Sequence, residues 1–278
     1  MAARRHQVLV SAHRCGYAEL SAAGATARSL ENTVEGIAHA AAVGADYVEF
    51  DVRRCADGVF VIAHDPGLGT ARGDALIRKL TWAELHLAAP EVPRLSDFLA
   101  ALAPTGVGAH VDMKFATTQR DRDAGRLWEI DLLEVLVASL DPARIIMTTG
   151  NGAATSAMRD WIADRELPIL VGLSIGASLR GLPLREAARN LLGQLFPRQR
   201  FEASRADAVA AHYALAMVRL TRWTARIGVP LLVWTVDSPR LQRRLLRDHR
   251  VWMITTNWPA RAIALRGSGG SSGGGERP

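Results

Sequence analysis

Residues 44–52 read Gly44-Ala45-Asp46-Tyr47-Val48-Glu49-Phe50-Asp51-Val52, and the alternation within them decides the fold. Strand side chains point to opposite faces with period two. Tyr47, Glu49 and Asp51 therefore share one face, and Val48, Phe50 and Val52 share the other. The apolar face is expected to pack on helices. The opposite face sets two carboxylates side by side in the interior, where like charges repel and desolvation is costly. A bound cation removes both penalties; a strand end at which both carboxylates merely reach water or arginine is the alternative.

The same alternation recurs downstream. Within residues 107–114, His110, Asp112 and Lys114 share one face, while Val111 and Met113 share the other. Short apolar runs predict strands over 7–13, 47–52, 59–64, 107–113, 144–149, 169–174, 208–212, 230–236 and 251–256. Helical patterns cover 33–43, 96–103, 123–140, 153–165, 184–195, 215–227 and 239–247, with a short helical piece at 81–87. Strands alternating with helices argue for a parallel sheet with helices packed outside. About eight such units, in a chain near the roughly 250 residues such a fold takes, point to α/β architecture and a single-domain (β/α)8 TIM barrel over 1–266. An open doubly wound sheet is the runner-up, but His13-Arg14-Cys15-Gly16 after the first strand does not match the GxGxxG turn of a dinucleotide site. Residues 267–278, almost all Gly and Ser, read as a flexible tail.

Composition narrows the function classes. Of 278 residues, 49% are hydrophobic and 22% charged, which suits a globular chain with a sizeable core and not a disordered one. No apolar run reaches the length of a transmembrane helix. The opening Met1-Ala2-Ala3-Arg4-Arg5-His6 leads straight into a short apolar run that reads as the first strand and not as a leader, so a cytoplasmic protein is expected. The net charge of +6 favours anionic partners: phosphate esters, or contact with a membrane surface. The arginines are scattered apart from a cluster at Arg240, Arg243, Arg244, Arg247 and Arg250, and no nucleic-acid-binding motif is present. Cys15 and Cys55 do not make a disulfide framework, and a bridge between them is not expected in a reducing compartment.

The chemistry gathers around the acidic strands. Glu49, Asp51 and Asp112 would offer three oxygen ligands, which suits one hard divalent cation, Mg²⁺ or Ca²⁺. Lys114 beside that cation makes sense if an anion binds between them; an ordinary salt bridge to Asp112 is the other reading. His13 and His64 fall at the ends of predicted strands 7–13 and 59–64, and barrel active sites form at C-terminal strand ends. An imidazole titrates near neutral pH, so the pair can serve as general base and general acid. Arg14 offers a bidentate fork for phosphate oxygens.

These residues carry a resemblance. His13-Arg14, Glu31-Asn32-Thr33, the stretch 44–52, Asp57-Gly58-Val59 and His64-Asp65 resemble, in type, order and spacing, the glycerophosphodiester phosphodiesterases. Val92-Pro93-Arg94-Leu95, Val111-Asp112-Met113-Lys114, Val233-Trp234-Thr235-Val236-Asp237 and Ile254-Thr255-Thr256-Asn257-Trp258-Pro259 are similar to that family's later strands, so the likeness spans about 8–262. The resemblance implies a barrel that hydrolyses glycerophosphodiesters to glycerol 3-phosphate and an alcohol. It implies His13 and His64 as acid–base pair, and Glu49, Asp51 and Asp112 as metal ligands. Arg14 and Lys114 would hold phosphate, Glu31 would orient the site, and Trp234 would line the pocket.

The chain departs from the pattern at Cys15, where glycine is usual, at Asp112, where glutamate is usual, and in the short segment 65–93. Asp112-x-Lys114 also resembles the sphingomyelinase D-like phospholipases, which implies a lysophospholipid or sphingolipid substrate and a cyclic phosphate. A metal-dependent barrel lyase or aldolase would use Glu49 and Asp51 but leave the two histidines unexplained. A non-catalytic barrel would leave the acid–base pair and the carboxylates unexplained. Oligomeric state is not readable from the sequence.

Overall fold

The structure is a computed structural model and describes residues 7–22, 31–68, 75–176 and 197–268. Its strands are β1 (Leu9–Ala12), β2 (Tyr47–Arg54), β3 (Phe60–Ile62), β4 (Gly108–Met113), β5 (Ile145–Thr149), β6 (Leu170–Ile175), β7 (Ala208–His212), β8 (Leu231–Trp234) and β9 (Met253–Thr256). The sheet order β1-β9-β8-β7-β6-β5-β4-β2 closes through a β1–β2 pairing, and every pair around that ring is parallel. The result is a closed eight-stranded barrel with helices outside. β3 alone is antiparallel and hangs on the upper part of β2. No described helix is long and apolar enough to cross a membrane.

The first half of the helical layer comprises α1 (Tyr17–Ala22), α2 (Val34–Ala42), α3 (Trp82–Ala88), α4 (Leu95–Leu102), α5 (Gln119–Asp123), α6 (Trp128–Ser139) and α7 (Gly152–Asp164). Local chemistry starts several of them. The Thr33 hydroxyl accepts the Gly36 N–H at the head of α2, and Thr81 with Glu84 forms a reciprocal cap on α3. The outward strand residues Val48, Phe50, Val52, Val111 and Met113 meet Ile37, Phe98, Leu99, Leu132 and Leu136 in one buried cluster, as the alternation predicts. Phe50 and Phe98 lie with ring centroids 4.7 Å apart, and both are fully buried. Phe98→Ala is expected to destabilise the fold by about 3–5 kcal/mol, the usual weight of a buried aromatic truncated to a cavity. The shift in the urea midpoint measures it; a loss below about 1 kcal/mol would mean that the helical layer does not pack as described.

The differences from the sequence reading have local causes. The helix expected over 123–140 is two helices, α5 and α6, because Gly125 takes φ 73° and Thr118 with Asp121 caps a separate first turn. The helix expected over 215–227 begins as a turn at Tyr213–Leu215, widens to a π-helix over Ala216–Leu220 and continues as Thr221–Ile227. There the Thr221 hydroxyl donates to the Ala216 carbonyl, five residues back, at 2.6 Å. The helix expected over 184–195 lies outside the described residues. The last helix, Pro259–Gly267, takes in Gly267, and residues 269–278 also lie outside them. Cys15 and Cys55 are both free and buried in different clusters.

Candidate active site

The site forms where the parallel strands end. β2 and β4 pair with Glu49 opposite His110 and Asp51 opposite Asp112, so both strands present carboxylates to the same side of the mouth. One oxygen each of Glu49, Asp51 and Asp112 lies within 4.8 Å of the others, the one such acidic cluster among the described residues. Glu49 and Asp51 are almost fully buried, at 4% and 1% exposure. A cavity of about 830 Å³ opens over them and is bordered by His13, Arg14, His64, Lys114 and Trp234. All nine sequence-predicted site residues except Glu31 and Asp51 therefore line that cavity, and those two both contact the Arg14 guanidinium.

The carboxylates are electrostatically unsettled. Burial, with Asp51 and Asp112 nearby, pushes Glu49 well above the usual carboxylate range. Burial also lifts Asp112, despite Lys114 beside it. Burial alone would lift Asp51 too, but Lys114, His64 and Arg14 together bring it below its ordinary value. Three hard oxygen donors with surplus negative charge match a divalent cation of the Mg²⁺ or Ca²⁺ kind.

Two cations face this cluster. Lys114 Nζ donates to Asp112 Oδ2 at 2.5 Å and lies 3.2 Å from Asp51 Oδ1. Burial works against its charge, yet Asp112 and Asp51 hold its pKa above that of an ordinary lysine. Arg14 follows β1 in a turn, His13–Gly16, in which Arg14 (φ 44°) and Cys15 (φ 67°) are both left-handed. Non-glycine residues held this way cost energy and cluster at functional sites. The turn aims the Arg14 backbone N–H at Glu49 Oε2 (2.8 Å). The guanidinium donates from Nη1 to Glu31 Oε2 at 2.8 Å. Its buried Nε lies 3.4 Å from Asp51 Oδ2 without forming a hydrogen bond, a donor suited to an anionic oxygen.

Each histidine is held by its Nδ1. His13 Nδ1 lies 2.7 Å from Asn257 Oδ1, and Asn257 Nδ2 donates to Asp237 Oδ2 at 2.7 Å. A carboxylate only accepts, so Asp237 orients the Asn257 amide, and Asn257 Oδ1 in turn requires the proton on His13 Nδ1. Nε2, 4.0 Å from Glu49 Oε2, keeps its lone pair. Burial and the neighbouring Arg14 lower the His13 pKa to about 4, which keeps the ring neutral. His64 Nδ1 pairs with Asp65 Oδ1 at 2.9 Å. It belongs to the expected hairpin but lies two residues beyond the strand's end instead of closing the strand. β3 runs antiparallel, ends at Ile62, and the chain descends through an Ala63 N–H to Asp51 carbonyl bond that brings His64 beside the acids.

Sequence reasoning passes over four residues. Asp237 and Asn257 stand in the quoted strand motifs, but nothing in linear order ties them to His13. Arg53 donates from Nε and Nη2 to the His64 carbonyl (3.0 and 2.5 Å) and from Nη1 to the Lys114 carbonyl (3.1 Å), stapling two site-bearing segments together. His212, at the end of β7, lines the cavity and sets its ring edge-on to Trp234 at 5.3 Å. A histidine ending a strand is the signal that could have found it.

Similar proteins share this frame. A phosphodiesterase from Oleispira antarctica, solved with the product sn-glycerol-3-phosphate, superposes with a TM-score of 0.68 at 20% identity, covering 93% of this chain and 96% of that one. A glycerophosphodiester phosphodiesterase from Parabacteroides distasonis gives 0.69 at 21% identity, covering 94% and 98%. One from Thermotoga maritima gives 0.62 at 22%, covering 94% and 99%. No curated protein matches the sequence. The sequence model of the glycerophosphoryl diester phosphodiesterase family matches residues 22–260, nearly the whole barrel with both acidic strands. This chain thus belongs to the glycerophosphoryl diester phosphodiesterase family, a family of phosphoric diester hydrolases.

Proposed function

We propose that this protein hydrolyses a glycerophosphodiester to glycerol 3-phosphate and an alcohol, with one Mg²⁺ or Ca²⁺ held by Glu49, Asp51 and Asp112 and with His13 and His64 as the acid–base pair. The observation that carries this reading is the convergence of three carboxylates from two strands beneath one cavity that the imidazoles of His13 and His64 also border. The bound cation supplies charge neutralisation for the phosphoryl oxygens. Arg14 and Lys114 bind the same oxygens and hold the phosphate in line. His13 presents an unprotonated Nε2 and takes the proton of the attacking oxygen. His64, paired with Asp65, carries its proton to the leaving alcohol. Trp234 lines the pocket wall.

The test is release of glycerol 3-phosphate from a panel of glycerophosphodiesters and lysophospholipids, with added Mg²⁺ or Ca²⁺. Turnover of glycerophosphodiesters is expected; none with any member of the panel would overturn the reading. The Asp112–Lys114 pair favours one second reading, a phospholipase D-like attack by a substrate hydroxyl that leaves a cyclic phosphate. Phosphorus NMR separates the two by whether a cyclic product persists.

The His13–Asn257–Asp237 chain has its own consequence. Asp237→Ala frees the Asn257 amide to turn and removes the constraint on the His13 ring. We expect kcat to fall roughly 10²-fold, the cost of about 1 Å of misplacement, with KM little changed. A variant as active as wild type would mean that His13 does not depend on this chain.

A further inference from the structure

We infer that Thr148 and His110 are positioning residues for Asp112, aiming its short carboxylate through a directional hydrogen-bond chain that begins at Ser11. The inference rests on the reading of Asp112 as a cation ligand. Asp112 is one methylene shorter than glutamate and sits opposite Thr148 across the β4–β5 pair. Its Oδ2 is taken by Lys114, and the Thr148 hydroxyl lies 3.2 Å from its Oδ1. Both oxygens are thereby restrained, and the carboxylate cannot rotate without breaking one of the two bonds.

The direction of the chain follows from acceptor chemistry. Thr148 Oγ1 has one proton, and two of its three neighbours, Asp112 Oδ1 and the Val111 carbonyl at 3.5 Å, can only accept it. With that proton given to Asp112, the Thr148 oxygen accepts from His110 Nε2, 3.3 Å away, which places the His110 proton on Nε2. His110 Nδ1 then accepts from the Ser11 hydroxyl at 3.1 Å. Ser11, His110 and Thr148 are all buried, at 0%, 3% and 2% exposure, with His110 and Thr148 bordering the floor of the cavity. Three strands, β1, β4 and β5, contribute one member each. The histidine is thus neither a ligand nor an acid or base here; it sets which way a threonine hydroxyl points. Partners that orient ligand side chains commonly carry a roughly 10–100-fold effect on metal affinity.

Calorimetry with Mg²⁺ and with Ca²⁺, without substrate, tests this on wild type, Thr148→Val, Thr148→Ser and Asp112→Asn. Thr148→Val keeps the shape, removes the hydroxyl and is expected to weaken cation binding roughly 10–100-fold. Thr148→Ser keeps the hydroxyl and is expected to bind like wild type. Wild-type affinity in Thr148→Val, alongside lost binding in Asp112→Asn, overturns the positioning role alone. Wild-type affinity in Asp112→Asn overturns the ligand reading beneath it. Long-range proton–nitrogen NMR on the unaltered protein adds a readout that does not depend on any variant folding. A proton on His110 Nε2 is expected, and a proton on Nδ1 refutes the chain's direction.

Discussion

His13→Ala and His64→Ala are each expected to lower turnover roughly 10²–10⁴-fold, the usual contribution of one positioned acid or base. The two losses should differ in kind. His13 sits in a network that reaches Asn257 and Asp237, its Nε2 lone pair directed toward the carboxylates. If His13 accepts the proton of the attacking oxygen, as proposed, a substrate with an activated leaving alcohol should not rescue its loss. His64 is more exposed and is tied to Asp65. If His64 protonates the leaving group, as proposed, an activated leaving group, such as a nitrophenol, should recover much of the rate lost on its removal. Steady-state rates with both classes of substrate measure this. Rates within about tenfold of wild type in both variants would remove the acid–base assignment.

Removal of divalent metal by EDTA is expected to abolish activity, and Mg²⁺ or Ca²⁺ is expected to restore it. The reason lies in the balance of charge. Three carboxylates share the floor of the cavity, and Lys114 and Arg14 are the cations set against them. Without a further positive charge, burial and the crowding of like charges push Glu49 well above its ordinary pKa and lift Asp112, so the protonated form of these ligands gains ground and the positive charge proposed to meet the phosphoryl oxygens is missing. Activity assays before and after chelation, with metal content measured, decide the matter. Full turnover in protein shown to be metal-free would exclude the cation from the chemistry.

Much of the barrel and of its acidic floor is legible in the amino-acid sequence, because both depend on short-range periodicity. The alternation of 47–52 and of 107–113 puts Glu49, Asp51 and Asp112 on inward faces, and both strands form with those faces inward. All nine predicted strands occur, with ends shifted by no more than two residues: β2 runs on to Arg54 and β6 to Ile175, β7 keeps its predicted ends, and the others are shorter, as at His13, where the chain leaves β1 for a left-handed turn. Partnerships across the barrel are not legible in linear order. Asn257 meets His13 from 244 positions away, a pairing that only closure of the barrel between β1 and β9 creates. Arg53 reads as an ordinary basic residue until its guanidinium is seen bonded to two carbonyls. The 123–140 pattern is helical in composition, but Gly125 and the Thr118 cap divide it, and a positive φ is not visible in apolar spacing.

The most direct test of the central claim is anomalous diffraction from crystals soaked in Mn²⁺ together with sn-glycerol 3-phosphate. One strong manganese peak in contact with oxygens of Glu49, Asp51 and Asp112 is expected, with the phosphate reached by Arg14 and Lys114 between the rings of His13 and His64. An active, manganese-loaded protein whose peak lies away from those three carboxylates would contradict it.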